Sequence, residues 1–591
     1  MRTIGRPLLV AILVFAGLTP FACSKNRDAA RSEAAPMPAS LARAEDGGRT
    51  GDHEATGVHS LDRAAEHSAA GDGEFPPLYD GLGNHRRDIT TSSKQAQAYF
   101  DQGLRLQYAF NHAEAIRSYE AALAADPECA MCWWGIALAA GNNINAGLDE
   151  AGGRLAYEAA GEATALAGDA SEPERMLIEA IAARYGPDPL DNRVALDSAY
   201  ARAMERVAEM YPGDTDILTL YAASLMNLSP WFYWEGPYDD RTPRPGTRRI
   251  VSTLEDALEI DREHPGACHY LIHAVEAAYP ERAVECADRL ASLMPAAGHI
   301  VHMPGHIYIR VGRYRDAVEA NRHAVHQDEA YIADQGQQSV YTGAYYPHNY
   351  HFMAFAATMA GMKEDALYAA RTVSPRVPLE VARAVPFIQN AIVMPELTLL
   401  TFGEWEAVLN VPAPDTSLEL ASVMHRYARG TALAALGRLD DARAVLGDLR
   451  AESREAAREA GGDEAANPVL SIAAHALAGE IALRAGEPAA AVERFRRATQ
   501  LEDGMVYEEP PLWYYPTRHS LGRALLEAGD ASGAEQVYRE DLTRFPENGW
   551  SLFGLAQSLE AQGQSSAAAE VREGLERAWQ YSDVELTASR F

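Results

Sequence analysis

From Ser93 onward, apolar residues recur at helical spacing in long alanine-rich segments, broken by short runs of Gly, Asp and Pro. The alternation expected of half-buried strands is scarce. Within SKQAQAYFDQGLRLQYAFNHAEAIRSYEAALAADP, Gly103 is followed by Ala115, and then by Tyr119, Ala122 and Pro127. The same grid returns as Gly479, Ala491, Phe495 and Ala498, and as Gly522, Ala534, Tyr538 and Pro546. Gly430 and Ala442 keep its small pair. Gly305, Ala317 and Ala324 keep it with Asn321 in the aromatic slot, and Trp550, Phe553 and Gly554 open a further unit. Two helices cross closely only where both carry small residues, and the aromatic then fills the gap to the next pair. One such hairpin cannot bury its own apolar face, so neighbours must stack, and the pattern predicts an all-α solenoid of antiparallel helix hairpins.

This grid resembles the tetratricopeptide repeat (TPR). The solenoid is expected over residues 76–591, with clear repeats near 95–140, 297–330, 422–455, 471–503 and 514–580. Between 142 and 246 the chain still reads as helical but drifts off the grid. SPWFYWEGPYDDRTPRPG is a long aromatic and proline-rich loop there, and Trp231, Phe232, Tyr233 and Trp234 suit a lid over the groove. The tail EVREGLERAWQYSDVELTASRF is expected to cap the last hairpin. Phrases such as DPECAMCWWGIAL, HMPGHIYIRVGRY and EPPLWYYPTRHSLG also resemble a group of exported bacterial TPR proteins, a resemblance that bears on fold and not on chemistry.

The N-terminus reads as a targeting segment over residues 1–23: Arg2 and Arg6, an apolar run from Pro7 to Leu18, then Thr19 to Cys23. That run is too short to span a bilayer as a mature helix. Cys23 resembles the lipidated cysteine of bacterial lipoproteins, although Pro20 stands where that family prefers Leu. The expectation is an exported protein, periplasmic or anchored to the outer membrane through Cys23. Residues 24–75 hold almost no large apolar side chains and predict a disordered tether. A formal net charge of −32 argues against nucleic acid and anionic lipid as direct partners.

Nine of the 18 histidines fall between Ala267 and Phe352. His299, His302 and His306 are spaced three and four apart, which puts them on one helix face. In the TPR register, with Gly305 at position 8, they occupy positions 2, 5 and 9, which the resemblance implies face the concave groove. His348 and His351 take positions 2 and 5 of the next hairpin. His269 and His273 land at 6 and 10 of the preceding one, or at 5 and 9 after a one-residue shift. Neutral imidazoles suit a transition-metal ion such as Zn or Cu. Glu276, Asn321 and Asn349 are the nearby candidates for ligand or supporting roles, whereas His323 and His326 fall on the second helix and should point elsewhere.

An exported chain invites its four remaining cysteines to pair. Cys268 and Cys286 stand level on the two helices of one hairpin in the TPR register and predict a disulfide. Cys129 and Cys132 form a CxxC at positions 2 and 5 of the second repeat, consistent with a redox pair, a metal-binding pair, a disulfide or two buried thiols. No P-loop, dinucleotide fingerprint, GxSxG or HExxH occurs. Two readings follow: a scaffold that holds a protein or peptide in its groove, and a metal-binding protein or metal-dependent enzyme. Three or more imidazole nitrogens within about 4–5 Å of one another would favour the second.

Overall fold

The computed structural model describes residues 75–236, 241–335 and 341–591. The signal segment, Cys23 and the linker up to residue 74 lie outside them. Nearly every helix packs against the next from Lys94–Tyr108 to Ser565–Ala578, including those between residues 142 and 246. Among the described residues the strands form a single short antiparallel ribbon in the aromatic loop, Trp234–Glu235 against Thr242–Pro243. Among the described residues no helix is long and apolar enough to cross a membrane.

The grid has a direct packing meaning. The Tyr119 ring wedges between Gly103 and Gly135, where an added Cβ would stand 2.6 and 2.5 Å from it. Tyr538 sits in the same way between Gly522 and Gly554, at 2.3 and 2.2 Å, and Phe495 against Gly479 at 2.8 Å. Each of these rings is buried, and burial of a side chain such as Phe495 contributes about 1.5–3 kcal/mol. In the central repeat the residue opposite Gly305 is Asn321, with its amide nitrogen 2.8 Å from the would-be Cβ.

The superhelix winds tightly enough for distant repeats to meet. Trp550 donates its indole N–H to the Thr358 carbonyl at 3.0 Å, and the C-terminal tail crosses to the middle of the chain. The tail does more than cap the last hairpin: Trp579 fills the space beside both Gly361 and Gly549, and Phe591 meets Trp550 and Gly403. This return brings the segment containing Glu509 over the central hairpins. At the other end, residues 75–93 run extended across several repeats. Tyr79 bonds Glu114, Arg87 pairs with Asp214 and Asp216, and the Gly81 carbonyl accepts from Ala296 N–H. The end of helix Lys94–Tyr108 is thereby held against helix Pro265–Val275, where Tyr108 packs on Gly266.

Candidate metal centre

Three consecutive hairpins position the histidines. Helix Pro265–Val275 is started by Pro265 and by His264, whose Nδ1 accepts the Ala267 N–H at 3.1 Å. It carries His269 and His273 one turn apart. The first helix of the next hairpin is broken at Met303 into Gly298–His302 and Pro304–Arg310, because Pro304 has no N–H to continue the ladder. His299, His302 and His306 still share one face across the break. Helix Tyr346–Met359, with Pro347 in its first turn, supplies His348.

These residues gather as two abutting trios. The ligand atoms of His269, His273 and His299 lie within 4.8 Å of one another, and so do those of His302, His306 and His348. His269 Nε2 and His299 Nε2 are 3.2 Å apart, and His302 Nε2 and His306 Nε2 are 2.9 Å apart. Two nitrogens bound to one ion at the usual Zn–N length stand about 2.9–3.4 Å apart for octahedral to tetrahedral angles. Both pairs fall in that interval. The trios touch through His273 and His306, with ring centroids 5.6 Å apart, and through His299 and His302, at 5.8 Å.

The outer ring nitrogens are anchored so that the inner ones face the cluster. His269 Nδ1 donates to the Tyr108 carbonyl at 2.6 Å. His302 Nδ1 donates to Asn321 Oδ1 at 2.6 Å, and the amide orientation is fixed because Asn321 Nδ2 donates to the Ala317 carbonyl. Glu276 spans both trios: Oε1 lies 3.3 Å from His273 Nδ1 and Oε2 lies 2.5 Å from His306 Nδ1. The second of these is a close ion-pair approach off the line of the N–H, not an aligned hydrogen bond. Glu509 Oε2 adds a further contact to His306 Nδ1 at 3.1 Å. A proton on the Nδ1 of His269, His273 and His302 leaves their Nε2 lone pairs turned inward, the arrangement in which metal-binding histidines are held, whereas His306 must release its Nε2 proton to bind an ion. His273 Nε2 and His299 Nδ1 are buried without a hydrogen-bond partner.

Electrostatics separate one histidine from the rest. Burial holds His269, His273, His299, His302 and His348 well below the ordinary imidazole range, and neighbouring imidazoles push the same way. Burial would also lower His306, but the Glu276 and Glu509 carboxylates outweigh it and raise the group to about 9. Burial, reinforced by the Glu276 charge, raises the Glu509 carboxyl.

Aromatic rings wall the cluster. Phe110 lies 4.5 Å from His269 and stacks toward His299 at 5.5 Å. Tyr345 lies 4.5 Å from His299, and Phe352 lies 4.5 Å from His306 and 4.9 Å from His302. Trp231 stands edge-on to His273 at 5.0 Å, its N–H donating to Asn145 Oδ1, while Asn145 Nδ2 donates to the Tyr345 hydroxyl. Phe110 and Trp231 have left-handed backbones, φ 56° and 67°. Such a conformation costs about 1–3 kcal/mol for a bulky residue and is held only where the surroundings dictate it. Both of these rings face the histidines.

Not every histidine expected at the wall joins a trio. His351 lines a separate cavity with Thr358, Asn390, Thr398 and Tyr514 and belongs to neither trio. Asn349 donates to Asp328 Oδ2 at 2.7 Å; Asp328 in turn accepts from the Tyr341 hydroxyl, which accepts the His299 N–H. It braces the backbone of the centre through two intermediaries. His323 and His326 are exposed on the second helix. Cys268 is bonded to Cys286 on the hairpin of His269, and Cys129 to Cys132. Sequence reasoning missed Glu509, which is remote in the chain, and Tyr108 and Phe110, which carry no chemical signature.

A third group, His85, Asp216 and His264, is a closed hydrogen-bonded network. Asp216 Oδ1 accepts from the Tyr108 hydroxyl at 2.6 Å and lies 2.9 and 3.2 Å from the two imidazole Nε2 atoms, while Arg87 reaches Oδ2. With His264 Nδ1 used as a helix cap, both faces of that imidazole are engaged within the protein. The group fastens the N-terminal segment to the helix that bears His269 and His273.

Two tetratricopeptide-repeat family models match the chain, one over residues 100–143 and 519–583 and the other over 423–448. No curated protein matches it. Among solved structures, the human IFIT1 dimer with m7Gppp-AAAA is similar at 12% identity over 84% of this chain and 92% of that one, with a TM-score of 0.30. The Cut9–Hcn1 hetero-tetramer of APC/C is similar at 13% identity over 82% and 76%, with a TM-score of 0.28. Yeast Tom70 is similar at 13% over 83% and 95%, with a TM-score of 0.25. Repeats of this kind point to a protein-interaction scaffold. The matched segments carry tetratricopeptide repeats, and the same Gly–aromatic packing joins their hairpins.

Proposed function

We propose that this protein binds a transition-metal ion, such as Zn or Cu, at the histidine centre of its solenoid. The carrying observation is the convergence of ring nitrogens within 4.8 Å in each trio. Four of the six imidazoles have Nδ1 set against an acceptor. The burial of His269 and His302 and the aromatic wall argue against a peptide reaching these residues. All-nitrogen donor sets suit Zn, Cu, Ni or Fe rather than Mg or Ca. The test is elemental analysis of protein purified from its native compartment, beside a His302→Ala, His306→Ala double variant. Stoichiometric metal in the natural protein and a marked loss in the variant are expected. Equal, substoichiometric metal in both would sink the reading.

The repeats also support a second role, as a scaffold for a protein partner on surfaces away from the buried centre. The N-terminal sequence supports export, with Cys23 as a lipid anchor. Radiolabelled palmitate should mark the natural protein and not a Cys23→Ala variant. Partner crosslinks formed in cells should survive loss of His302 and His306 if the scaffold and the metal centre are separate.

A further inference from the structure

We infer that the centre takes two metal ions side by side, one in each histidine trio, bridged by a small exogenous oxygen-donor ligand such as water, hydroxide or a molecule of similar size. This rests on the metal-binding reading above and goes beyond it in number, placement and open coordination.

Six imidazoles are too many for one ion of the kind that prefers four ligands. Their distribution is not that of one large cluster either. His269, His273 and His299 form one complete set of three, and His302, His306 and His348 form another, with no residue shared. Each set contains one close Nε2 pair, at 3.2 and 2.9 Å, as expected of two ligands on one ion. The buried His273 Nε2 has no hydrogen-bond partner and is available to complete the first set.

The ring spacing between sets falls within the range found inside them. His273–His306 and His299–His302 stand 5.6 and 5.8 Å apart, while rings inside the sets range from 4.8 to 6.3 Å. Ions held by the two sets would therefore be neighbours, as in paired-metal sites. Glu276 ties the sets together from behind, with one carboxylate oxygen toward a histidine of each.

Three protein ligands leave each ion an open position, the feature that distinguishes reactive metal sites from structural ones. No carboxylate fills it: Glu276 and Glu509 contact the outer Nδ1 atoms of the histidines. The open positions are enclosed by Phe110, Trp231, Tyr345 and Phe352. Rings this close to the imidazoles favour a small ligand over a bulky one.

The experiment is a Cu(II) titration of metal-depleted full-length protein, followed by elemental analysis and electron paramagnetic resonance. Two tightly held equivalents are expected, with the signal per copper falling below half as the second ion binds beside the first. A His348→Ala variant should keep one equivalent with full signal, and a His269→Ala variant likewise; the retained equivalent reports that each variant is folded. One equivalent in the natural protein, or two giving independent full signals, overturns the paired site and leaves metal binding standing. No tight equivalent at all overturns the metal-binding reading itself.

Discussion

Asn321 Oδ1 accepts the Nδ1 proton of His302 at 2.6 Å from the position at which three other hairpins carry Tyr119, Phe495 or Tyr538. The repeat has exchanged an interlocking ring, such as Tyr119 or Tyr538, for a group that orients an imidazole. Replacing Asn321 with Leu keeps the volume and removes the acceptor. Metal affinity, measured by chelator competition, should fall about 10–100-fold, the usual effect of losing an outer hydrogen bond to a metal-binding histidine. An unchanged affinity would mean that packing alone orients His302.

Glu509 reaches the same centre from the loop between helices Pro488–Asp503 and Arg518–Glu527, by way of the superhelical return. Glu509→Gln keeps the shape and reduces the charge facing His306. The expected result is weaker metal binding within the same about 10–100-fold range, with little change in helix content by circular dichroism. A variant that binds metal normally would make Glu509 a packing residue only.

The difference between these two residues shows what was legible in the sequence. The small-residue grid carried the solenoid because Gly103, Gly479 and Gly522 are each opposed by a ring at a fixed offset, as Gly522 is by Tyr538. The same grid put His299, His302 and His306 on one face, since their order is set within a single hairpin. His351 failed that logic: it sits in register on its helix, yet the turn between repeats carries it past the cluster to the Asn390 side. Glu509, Tyr108 and Phe110 were invisible for a different reason. They meet the histidines only because the superhelix closes on itself, and no local period encodes that distance.

The ring-against-glycine contacts predict a coupling. Gly522→Ala would place a methyl 2.3 Å from the Tyr538 ring, and overpacking of this kind costs about 1–3 kcal/mol. Tyr538→Ala alone leaves a cavity and costs about 3–5 kcal/mol, by analogy with other aromatic truncations. Because the methyl would occupy part of that cavity, the double variant should be more stable than the sum of the two losses allows. Strict additivity in denaturant midpoints would show that the ring and the glycine do not constrain each other.

Stability should also fall with rising pH through one half-buried carboxyl. Burial raises Glu502 to about 7 despite hydrogen bonds from Thr517, including its N–H at 2.9 Å. The folded state then holds its proton more tightly than the unfolded state. The full stabilising contribution is present below the ordinary carboxyl range near 4.5 and is lost as pH rises through 7. A shift of that size is worth about 3 kcal/mol when fully desolvated, and partial exposure reduces it to about 1–2 kcal/mol. Glu502→Gln should therefore melt higher than the natural protein at pH 8 and alike at pH 4.5. A difference of the same size at both values would place the effect in packing instead of charge.

The two disulfides should differ in what their reduction does. Cys129–Cys132 closes a separation of only 3 residues at the start of helix Ala130–Ala139, so opening it frees little chain. Cys268–Cys286 closes a separation of 18 and joins the two helices of the hairpin that bears His269 and His273. A loop of that length is worth about 3 kcal/mol in the chain-entropy account. Paired Cys268→Ala, Cys286→Ala substitution should lower the melting temperature and weaken metal binding at the first trio, while Cys129→Ala, Cys132→Ala should leave metal binding intact. Metal affinity unaffected by loss of the longer link would mean that the Tyr108 carbonyl and Glu276 suffice to hold His269 and His273 in place.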